Sequence, residues 1–136
     1  MKQATNNILM IRPVNFRYNK QTAVNNYYQK VLNDVSNDLV QKKALLEFDT
    51  FVSKLQKFGV NVVVIDDKIT PDTPDSIFPN NWVSFHANGS VVIFPMYAKN
   101  RRDERRRDIF KLLEMKYGFL INSIRDFTPL EHEEKY

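Results

Sequence analysis

Two apolar runs on either side of one long amphipathic helix constrain the fold of this chain more than any other feature. The runs are Ile8–Ile11 and Val60–Asp66, and nearly continuous apolar runs of this length are typical of strands buried on both faces. Between them, residues 37–58 carry apolar side chains at three- and four-residue spacing, which predicts an amphipathic helix. Residues 7–66 are therefore predicted to form a β-α-β unit.

The ends of the long helix have the residue types that helix ends require. Ser36 or Asn37 can accept a hydrogen bond from the first turn, and Gly59 can take the left-handed conformation that often follows a helix. A shorter helix is predicted to start near Thr22, in the segment TAVNNYYQKVLND.

The second half of the chain is predicted to contain a hairpin, a helix and one more strand. Apolar runs flank Asn88-Gly89, a strong signal for a type I′ hairpin turn, which needs positive φ at both central residues. A one-sided apolar pattern predicts a helix over residues 102–117, and FLINSI at 119–124 predicts a strand. The resulting order of elements predicts an α/β fold in which helices cover a sheet, with residues 60–124 as a β-β-β-α-β unit.

Composition limits the classes of function. The 136 residues, 43% of them hydrophobic and 26% charged, suit one globular domain. The chain has no cysteine, which excludes disulfides, thiolate metal sites and a cysteine nucleophile within it, and a reducing cytoplasm is the expected compartment. It also has no apolar run of about 18 residues, no glycine-rich phosphate loop and no metal-ligand spacing. We therefore expect no membrane span, cofactor or metal.

The loop between the second strand and the hairpin holds the first candidate site. Asp75, Asn80 and Asn81 bracket the apolar Ile77 and Phe78 at a strand entrance. In α/β folds, ligand sites usually form at such sheet edges. The alternative is structural: Asp75 caps a turn, and the two asparagines satisfy the loop backbone.

A basic block, residues 99–107, carries the net charge of +4 and is the second candidate. Its arginines suggest nucleic-acid binding, but phosphate-tracking surfaces usually combine basic and aromatic residues, and here acidic residues are interleaved. A solvated helix face is the alternative. The helix dipole disfavours cations at a helix start, and an arginine that binds a ligand carboxylate would explain them. The arginines at the predicted helix start are Arg101, Arg102, Arg105 and Arg106.

The two histidines and the acidic tail offer no chemistry of their own. His86 is expected on the hairpin strand and His132 in the tail, and neither has a nucleophile partner or metal-ligand spacing, so both are interpreted as structural. Glu131, Glu133 and Glu134 are most simply a solvated tail. On the residues alone, the sequence offers half of a polar site without a reactive group.

Three motifs in this order resemble the guanidino-group modifying, or amidinotransferase/arginine deiminase, superfamily: ILMIRPVNF, PDSIFPNNWVSF and VVIFPMYAKNRRDERR. The chain is most similar to the branch of citrulline-utilisation hydrolases and arginine-deiminase-related proteins, over nearly its whole length. The resemblance implies a pseudo-symmetric α/β propeller of ββαβ modules around a substrate channel. It also implies that a cysteine thiolate attacks the carbon of a guanidinium or ureido group, assisted by a histidine and acidic residues.

The resemblance implies substrate-binding roles in the polar loop. Asp75 and Phe78 fall in its PDSxF motif, whose acidic residue helps to bind the substrate. Asn80 and Asn81 stand where the dimethylarginine hydrolases carry a Glu-Asp pair that contacts the guanidinium. A guanidinium has donors only, whereas a ureido group also has an acceptor oxygen, and amides offer both donor and acceptor. The amide pair therefore favours a ureido substrate such as citrulline over arginine.

In the basic block, NRRDE is similar to the family's Arg-Arg-x-Glu segment, where Arg101 or Arg102 would bind the substrate's α-carboxylate. The family's Glu-Gly motif, histidine and cysteine follow a segment like PLEHEEKY, so we expect them beyond Tyr136. Residues 1–136 would then be the N-terminal part of an amidinotransferase-like propeller domain, about two of five modules. Sheet edges left uncovered would favour self-association.

One function is expected, with two alternatives. The chain is expected to be the N-terminal part of a hydrolase that acts on the ureido or guanidino group of a citrulline- or arginine-like amino acid. Its cysteine nucleophile would lie outside this chain, which would be inactive alone. The first alternative is a non-catalytic module that binds a small amino acid, and the second is nucleic-acid binding through residues 101–107.

Overall fold

The computed structural model describes residues 4–28 and 35–136, and the chain divides into two units. The first unit is Met1–Pro79 and the second is Asn80–Tyr136. Each has its own small sheet and helix, so the structure is mixed α/β with two sheets. Within the described ranges, no helix combines the length and apolar character that crossing a membrane requires.

In the first unit, two parallel strands are joined through one long helix. β1 (Asn7–Arg12) pairs with β2 (Asn61–Asp66) in register from their first residues to their last. α1 (Asn37–Lys57) lies between them in the chain. Parallel strands need a long connection, and α1 supplies it. The predicted β-α-β unit is confirmed, and α1 ends one residue before its predicted end.

Both ends of α1 follow the prediction. Ser36 is the N-cap, and its side chain accepts a hydrogen bond of 3.3 Å from the backbone N–H of Leu39. Phe58 is the C-cap, and Gly59 follows with φ of +81°, in the left-handed region that favours glycine. Local side-chain chemistry therefore sets where this helix begins and ends.

The core of the first unit lies between α1 and the sheet. Phe48 and Val52 of α1 and Val62 of β2 form its buried centre. Burying each such side chain stabilises the unit by about 1.5–3 kcal/mol. Partly buried apolar side chains complete the cluster, namely Met10, Leu55, Val60, Val64 and Ile77.

β1 is less buried than its apolar sequence predicts. Ile11 is buried, but Ile8 is 37% exposed, and Leu9 and Met10 are half-buried. α1 packs mainly over β2, so part of β1 remains uncovered. The prediction of burial on both faces holds for the centre of β2 and is wrong for β1.

The predicted short helix near Thr22 does not form in residues 22–28. This stretch forms separate turns instead. The side chains of Asn19 and Thr22 both donate to Asp75, and local polar side chains with such roles favour turns over helix. The remainder of the predicted helix, residues 29–34, lies outside the described residues.

The second unit has a three-stranded sheet in the order β3-β4-β5. β3 (Val83–Phe85) and β4 (Ser90–Ile93) form an antiparallel hairpin, and β5 (Ser123–Asp126) pairs with β4 in parallel. α2 (Lys99–Arg102) and α3 (Asp108–Tyr117) lie in the connection from β4 to β5. The unit is a β-β-α-β arrangement in the predicted order, and β5 begins later in the chain than predicted.

The hairpin turn is not of the predicted type I′. Gly89 has φ of +78°, but Asn88 is not left-handed, and a type I′ turn needs both. The N–H of Gly89 donates to the carbonyl of His86 at 2.9 Å, and the N–H of His86 donates to the carbonyl of Ser90 at 3.0 Å. One left-handed glycine with this bonding is typical of a type I turn followed by a G1 bulge. His86 therefore lies in the turn and not on the strand.

The helix predicted over residues 102–117 begins six residues late, at Asp108. Residues 103–107 form turns between α2 and α3. Arg101 and Arg102 thus end the short α2 and do not start a long helix, so the helix dipole gives no reason for or against cations there. The backbone N–H groups of Glu104 and Arg105 donate to carbonyls three residues back, and that of Arg106 to a carbonyl two residues back, so the four-residue bonding of an α-helix is interrupted there.

The core of the second unit joins the hairpin to α3. Trp82 and Ile109 are 1% and 0% exposed. The ring centroid of Phe110 lies 6.3 Å from that of Trp82 and 6.2 Å from that of Phe85. These aromatic contacts fix the first turn of α3 against the hairpin.

Replacing Phe48 with alanine is expected to lower the free energy of unfolding by about 3–5 kcal/mol, because it empties a core position. Phe48 is 4% exposed, whereas Phe51, three residues later on α1, is 53% exposed and is the matched control. Phe51→Ala should cost less than about 1 kcal/mol. Urea unfolding followed by circular dichroism measures both variants, and equal losses would contradict this placement of the core.

Candidate functional site

In the first unit, Asp75 is buried together with two polar side chains from a distant part of the chain. Its Oδ2 accepts hydrogen bonds from Asn19 Nδ2 at 2.7 Å and from Thr22 Oγ1 at 3.0 Å. All three side chains are buried. A carboxylate removed from water needs such donors, and here they also fix its orientation.

The residues beside Asp75 form a turn, and one buried polar side chain in it makes no hydrogen bond within the described residues. The N–H of Phe78 donates to the carbonyl of Asp75 at 3.0 Å, and Phe78 itself is 45% exposed. Thr73 Oγ1 donates to Asp67 Oδ2 at 2.8 Å. Ser76 is buried, and in the described part of the chain its Oγ has no hydrogen-bond partner. The PDSxF motif therefore buries its acid and exposes its aromatic ring.

Asn80 and Asn81 lie in a 3₁₀ turn, Pro79–Asn81, and both are exposed. Within the second unit, Arg101 Nη1 donates to Asn81 Oδ1 at 3.0 Å. The structure thus joins two of the predicted site residues from different elements, the 3₁₀ turn and α2.

Arg101 is held in place by a buried carboxylate. Its Nε donates to Glu104 Oε1 and its Nη2 to Glu104 Oε2, both at 3.0 Å. The side chains of Arg101 and Glu104 are 12% and 1% exposed. A two-point ion pair of this kind is both strong and directional. Arg101 therefore reaches Asn81 from a fixed position.

A second buried carboxylate, Glu131, binds the other arginines nearby. Both its oxygens accept hydrogen bonds from Arg105, and Oε1 also accepts from the N–H of Met96 at 2.7 Å. Arg102 Nε lies 3.3 Å from Oε2. Burial raises the pKa of Glu131, but the hydrogen bonds from Arg105 and Met96 and the nearby positive charges outweigh it, so the pKa lies below its usual value.

Glu131 is therefore not part of a solvated tail, and that prediction is wrong for it. The segment Thr128–Glu133 is a 3₁₀ helix that brings Glu131 to the basic block, where its side chain is 8% exposed. Glu133 and Glu134 are exposed, as predicted.

Arg102 combines backbone contacts with an aromatic one. Its Nε donates to the carbonyl of Met96 at 2.9 Å, and its guanidinium lies 5.8 Å from the centroid of the Tyr136 ring. Within the described residues, its Nη1 forms no hydrogen bond. Arg102 is the more exposed of the two arginines predicted to bind a substrate carboxylate.

The basic block as a whole is not a solvated helix face, and that prediction is wrong. Arg106 pairs with Asp108 at 2.9 Å, and Arg107 pairs with Asp126. Each of the five arginines in residues 101–107 thus has a carboxylate partner. Paired arginines have little charge left for tracking phosphates, so the geometry gives no support to nucleic-acid binding.

The two histidines lie in the hairpin turn and in the 3₁₀ helix Thr128–Glu133, where His132 directly follows Glu131. His86 Nε2 is 3.0 Å from Ser84 Oγ in the hairpin, and His132 is exposed in the 3₁₀ helix. In residues 4–28 and 35–136, no group of three His, Cys, Asp or Glu side chains is arranged to hold a metal ion.

Sequence reasoning missed four residues that shape these clusters. Asn19 and Thr22 lie more than 50 residues from Asp75, and no local pattern connects them. Glu104 gave a usable signal, because it follows Arg101 by three residues inside a basic block. Glu131 gave none, since two similar acids follow it.

Comparison with known proteins fits a guanidino-modifying class of protein, the class to which the three motifs pointed. Residues 12–136 match the model of a family described as N,N dimethylarginine dimethylhydrolase, eukaryotic. The chain belongs to this family, and the expected superfamily is confirmed. The closer resemblance to citrulline-utilisation hydrolases stays a prediction. Comparison with curated proteins and with solved structures gives no match.

Replacing Glu131 with glutamine should lower the free energy of unfolding by about 1.5–3 kcal/mol at neutral pH, because Arg105 loses a buried charged partner. The pKa of Glu131 is lowered by folding from an ordinary value of 4.5. Its carboxylate therefore stabilises the fold fully above that pH, and the stabilisation is lost as the pH falls through the folded-state pKa. The difference between wild type and variant should shrink on acidification over this range.

Glu133→Gln is the matched control, because Glu133 lies in the same 3₁₀ helix with its side chain 58% exposed beside Lys135. It should change the free energy of unfolding by less than about 0.5 kcal/mol. Urea unfolding at a series of pH values measures both variants. A loss in Glu131→Gln that does not vary with pH would contradict the role of the charge.

Proposed function

We propose that this chain is the substrate-binding part of a hydrolase that acts on the guanidino or ureido group of an arginine-like amino acid. Membership of the N,N dimethylarginine dimethylhydrolase family carries the proposal. The β-β-α-β topology of the second unit supports it, because an α/β propeller of ββαβ modules is the architecture that the sequence resemblance implies.

Asp75 and Phe78 are proposed to contact the substrate from the first unit. Asp75 Oδ2 is already used by Asn19 and Thr22, which hold the carboxylate in one orientation. A carboxylate preorganised in this way binds a donor-rich group without first ordering itself. The exposed ring of Phe78 offers an apolar surface for the flat guanidino or ureido group.

Asn80, Asn81, Arg101 and Arg102 are proposed to contact the substrate from the second unit. Arg102 is the better candidate for the α-carboxylate, since its Nη1 N–H groups are not used within the described residues. The guanidinium of Arg101 already donates hydrogen bonds to Glu104 and Asn81. The exposed amides of Asn80 and Asn81 are neutral, which favours a ureido substrate such as citrulline over a guanidinium.

The chemical step is proposed to depend on a cysteine thiolate that this chain does not contain. A thiolate attacking the central carbon of the substrate needs that carbon held in a fixed position. The residues of this chain would supply binding and orientation only, so the chain alone would be inactive. A non-catalytic module that binds a small amino acid tightly is the competing proposal.

Titration of the 15N-labelled chain with citrulline, arginine and N,N-dimethylarginine, followed by NMR, tests the proposal. We expect weak binding, with a Kd of about 1 mM or above, because the chain supplies only part of the contacts. The shifts should concentrate at Asp75 and Phe78 and in the turn Pro79–Asn81. No hydrolysis of any of the three compounds should be detected.

Asp75→Asn should weaken this binding about tenfold or more, because it removes the negative charge that is proposed to attract the ligand donors. Asp72→Asn is the matched control, since Asp72 pairs with Arg17 and is exposed. Micromolar binding by the chain alone would favour the binding module. Absence of shifts at Asp75 and Phe78 with all three compounds would overturn the proposal.

A further inference from the structure

We infer that Arg101 is a positioning residue that fixes which way the amide of Asn81 points, so that position 81 presents hydrogen-bond donors to the ligand. The inference rests on the proposed function and deepens it. It identifies the ligand chemistry that this position accepts: an acceptor atom, such as the oxygen of a ureido group.

The orientation follows from the chemistry of the two groups. An arginine guanidinium has five N–H donors and no acceptor. When Arg101 Nη1 lies 3.0 Å from the Asn81 amide, the atom that faces it must be the carbonyl oxygen Oδ1. The opposite rotamer would point N–H groups at N–H groups. The Nδ2 group of Asn81 is therefore turned away from Arg101, and Asn81 is exposed.

The amide cannot adapt easily, because Arg101 cannot move away. Two hydrogen bonds of 3.0 Å tie Arg101 to Glu104, whose side chain is 1% exposed. Withdrawing the guanidinium would break a buried two-point ion pair, which is strongly destabilising. Asn81 is thus oriented by a residue that is itself locked.

This orientation separates the two neighbouring asparagines. The side chain of Asn80 makes no hydrogen bond in the described residues, so its amide can rotate to suit a donor or an acceptor. Asn81 turns its Nδ2 N–H groups away from Arg101, and its Oδ1 already accepts from that cation. A guanidinium, which has only donors, would meet these N–H groups unfavourably, whereas a ureido oxygen accepts from them. Discrimination between the two ligands is thereby assigned to Asn81 and Arg101.

Side-chain amide resonances of Asn81 in the 15N-labelled chain provide the test. Citrulline should shift the two Nδ2 protons of Asn81, and arginine at the same concentration should not. Asn81→Asp replaces the donors with a carboxylate oxygen, and it should move the ratio of citrulline to arginine affinity toward arginine by about tenfold to a hundredfold. Asn81 is exposed, so this variant keeps the fold.

A double variant tests the role of Arg101 without leaving a buried charge. Arg101→Met combined with Glu104→Gln removes both members of the ion pair, frees the Asn81 amide to rotate, and should bring the affinity ratio close to one. Arg107→Met is the matched control, because Arg107 pairs with Asp126 and its side chain is 59% exposed. It should leave the ratio unchanged.

The outcomes separate this inference from the proposed function. Citrulline shifts at Asp75 and Phe78 with none at the Asn81 amide would overturn the inference and leave the proposed function standing. Equal shifts of Asn81 by arginine and citrulline, or an unchanged ratio in Asn81→Asp, would also overturn it. No shift at any of these residues would overturn both.

Discussion

The basic block of the second unit is neutralised by paired carboxylates, above all by the buried side chains of Glu104 and Glu131. Five arginines within seven residues would repel one another, and charges removed from water are costly unless they are paired. Glu104 forms an ion pair with Arg101, and Glu131 forms ion pairs with Arg105 and Arg102. The 3₁₀ helix Thr128–Glu133 is held against the block through Glu131, which accepts hydrogen bonds from Arg105 and from the N–H of Met96.

The elements that the sequence predicts best are those fixed by local chemistry. α1 has its apolar spacing, a serine cap and a following glycine within one continuous stretch, and all three appear where predicted. The prediction of a helix over residues 102–117 was wrong at its N-terminal end for the opposite reason. Its first turns contain the arginines, and their partners include Glu131, about 26 residues away, which no local pattern reveals. The prediction that β1 is buried on both faces was wrong because burial of this strand depends on where α1 lies.

The polar loop could be located from the sequence, but the side-chain contacts of its residues could not be predicted. Spacing alone placed Asp75, Asn80 and Asn81 near a strand entrance. That Asp75 is buried against Asn19 and Thr22 depends on contacts across more than 50 residues. The contact between Asn81 and Arg101 depends on the path of the chain between β4 and α2. Residue types thus indicate which chemistry is available, and long-range contacts decide which atoms of each group remain for a ligand.

The polarity of the Asn81 hydrogen bond and the charge of Arg101 both bear on the kind of ligand that position 81 would accept. The Arg101–Glu104 pair is close to neutral overall, but its cationic member is the one that contacts Asn81. A second guanidinium placed at the far side of the Asn81 amide would face the N–H groups, which form the positive end of the amide dipole. A carboxylate at the same position would reverse both effects, because it accepts from Arg101 and from a cationic ligand at once. On the proposed orientation of the amide, an asparagine at position 81 would therefore favour a neutral ligand with an acceptor atom over a cation.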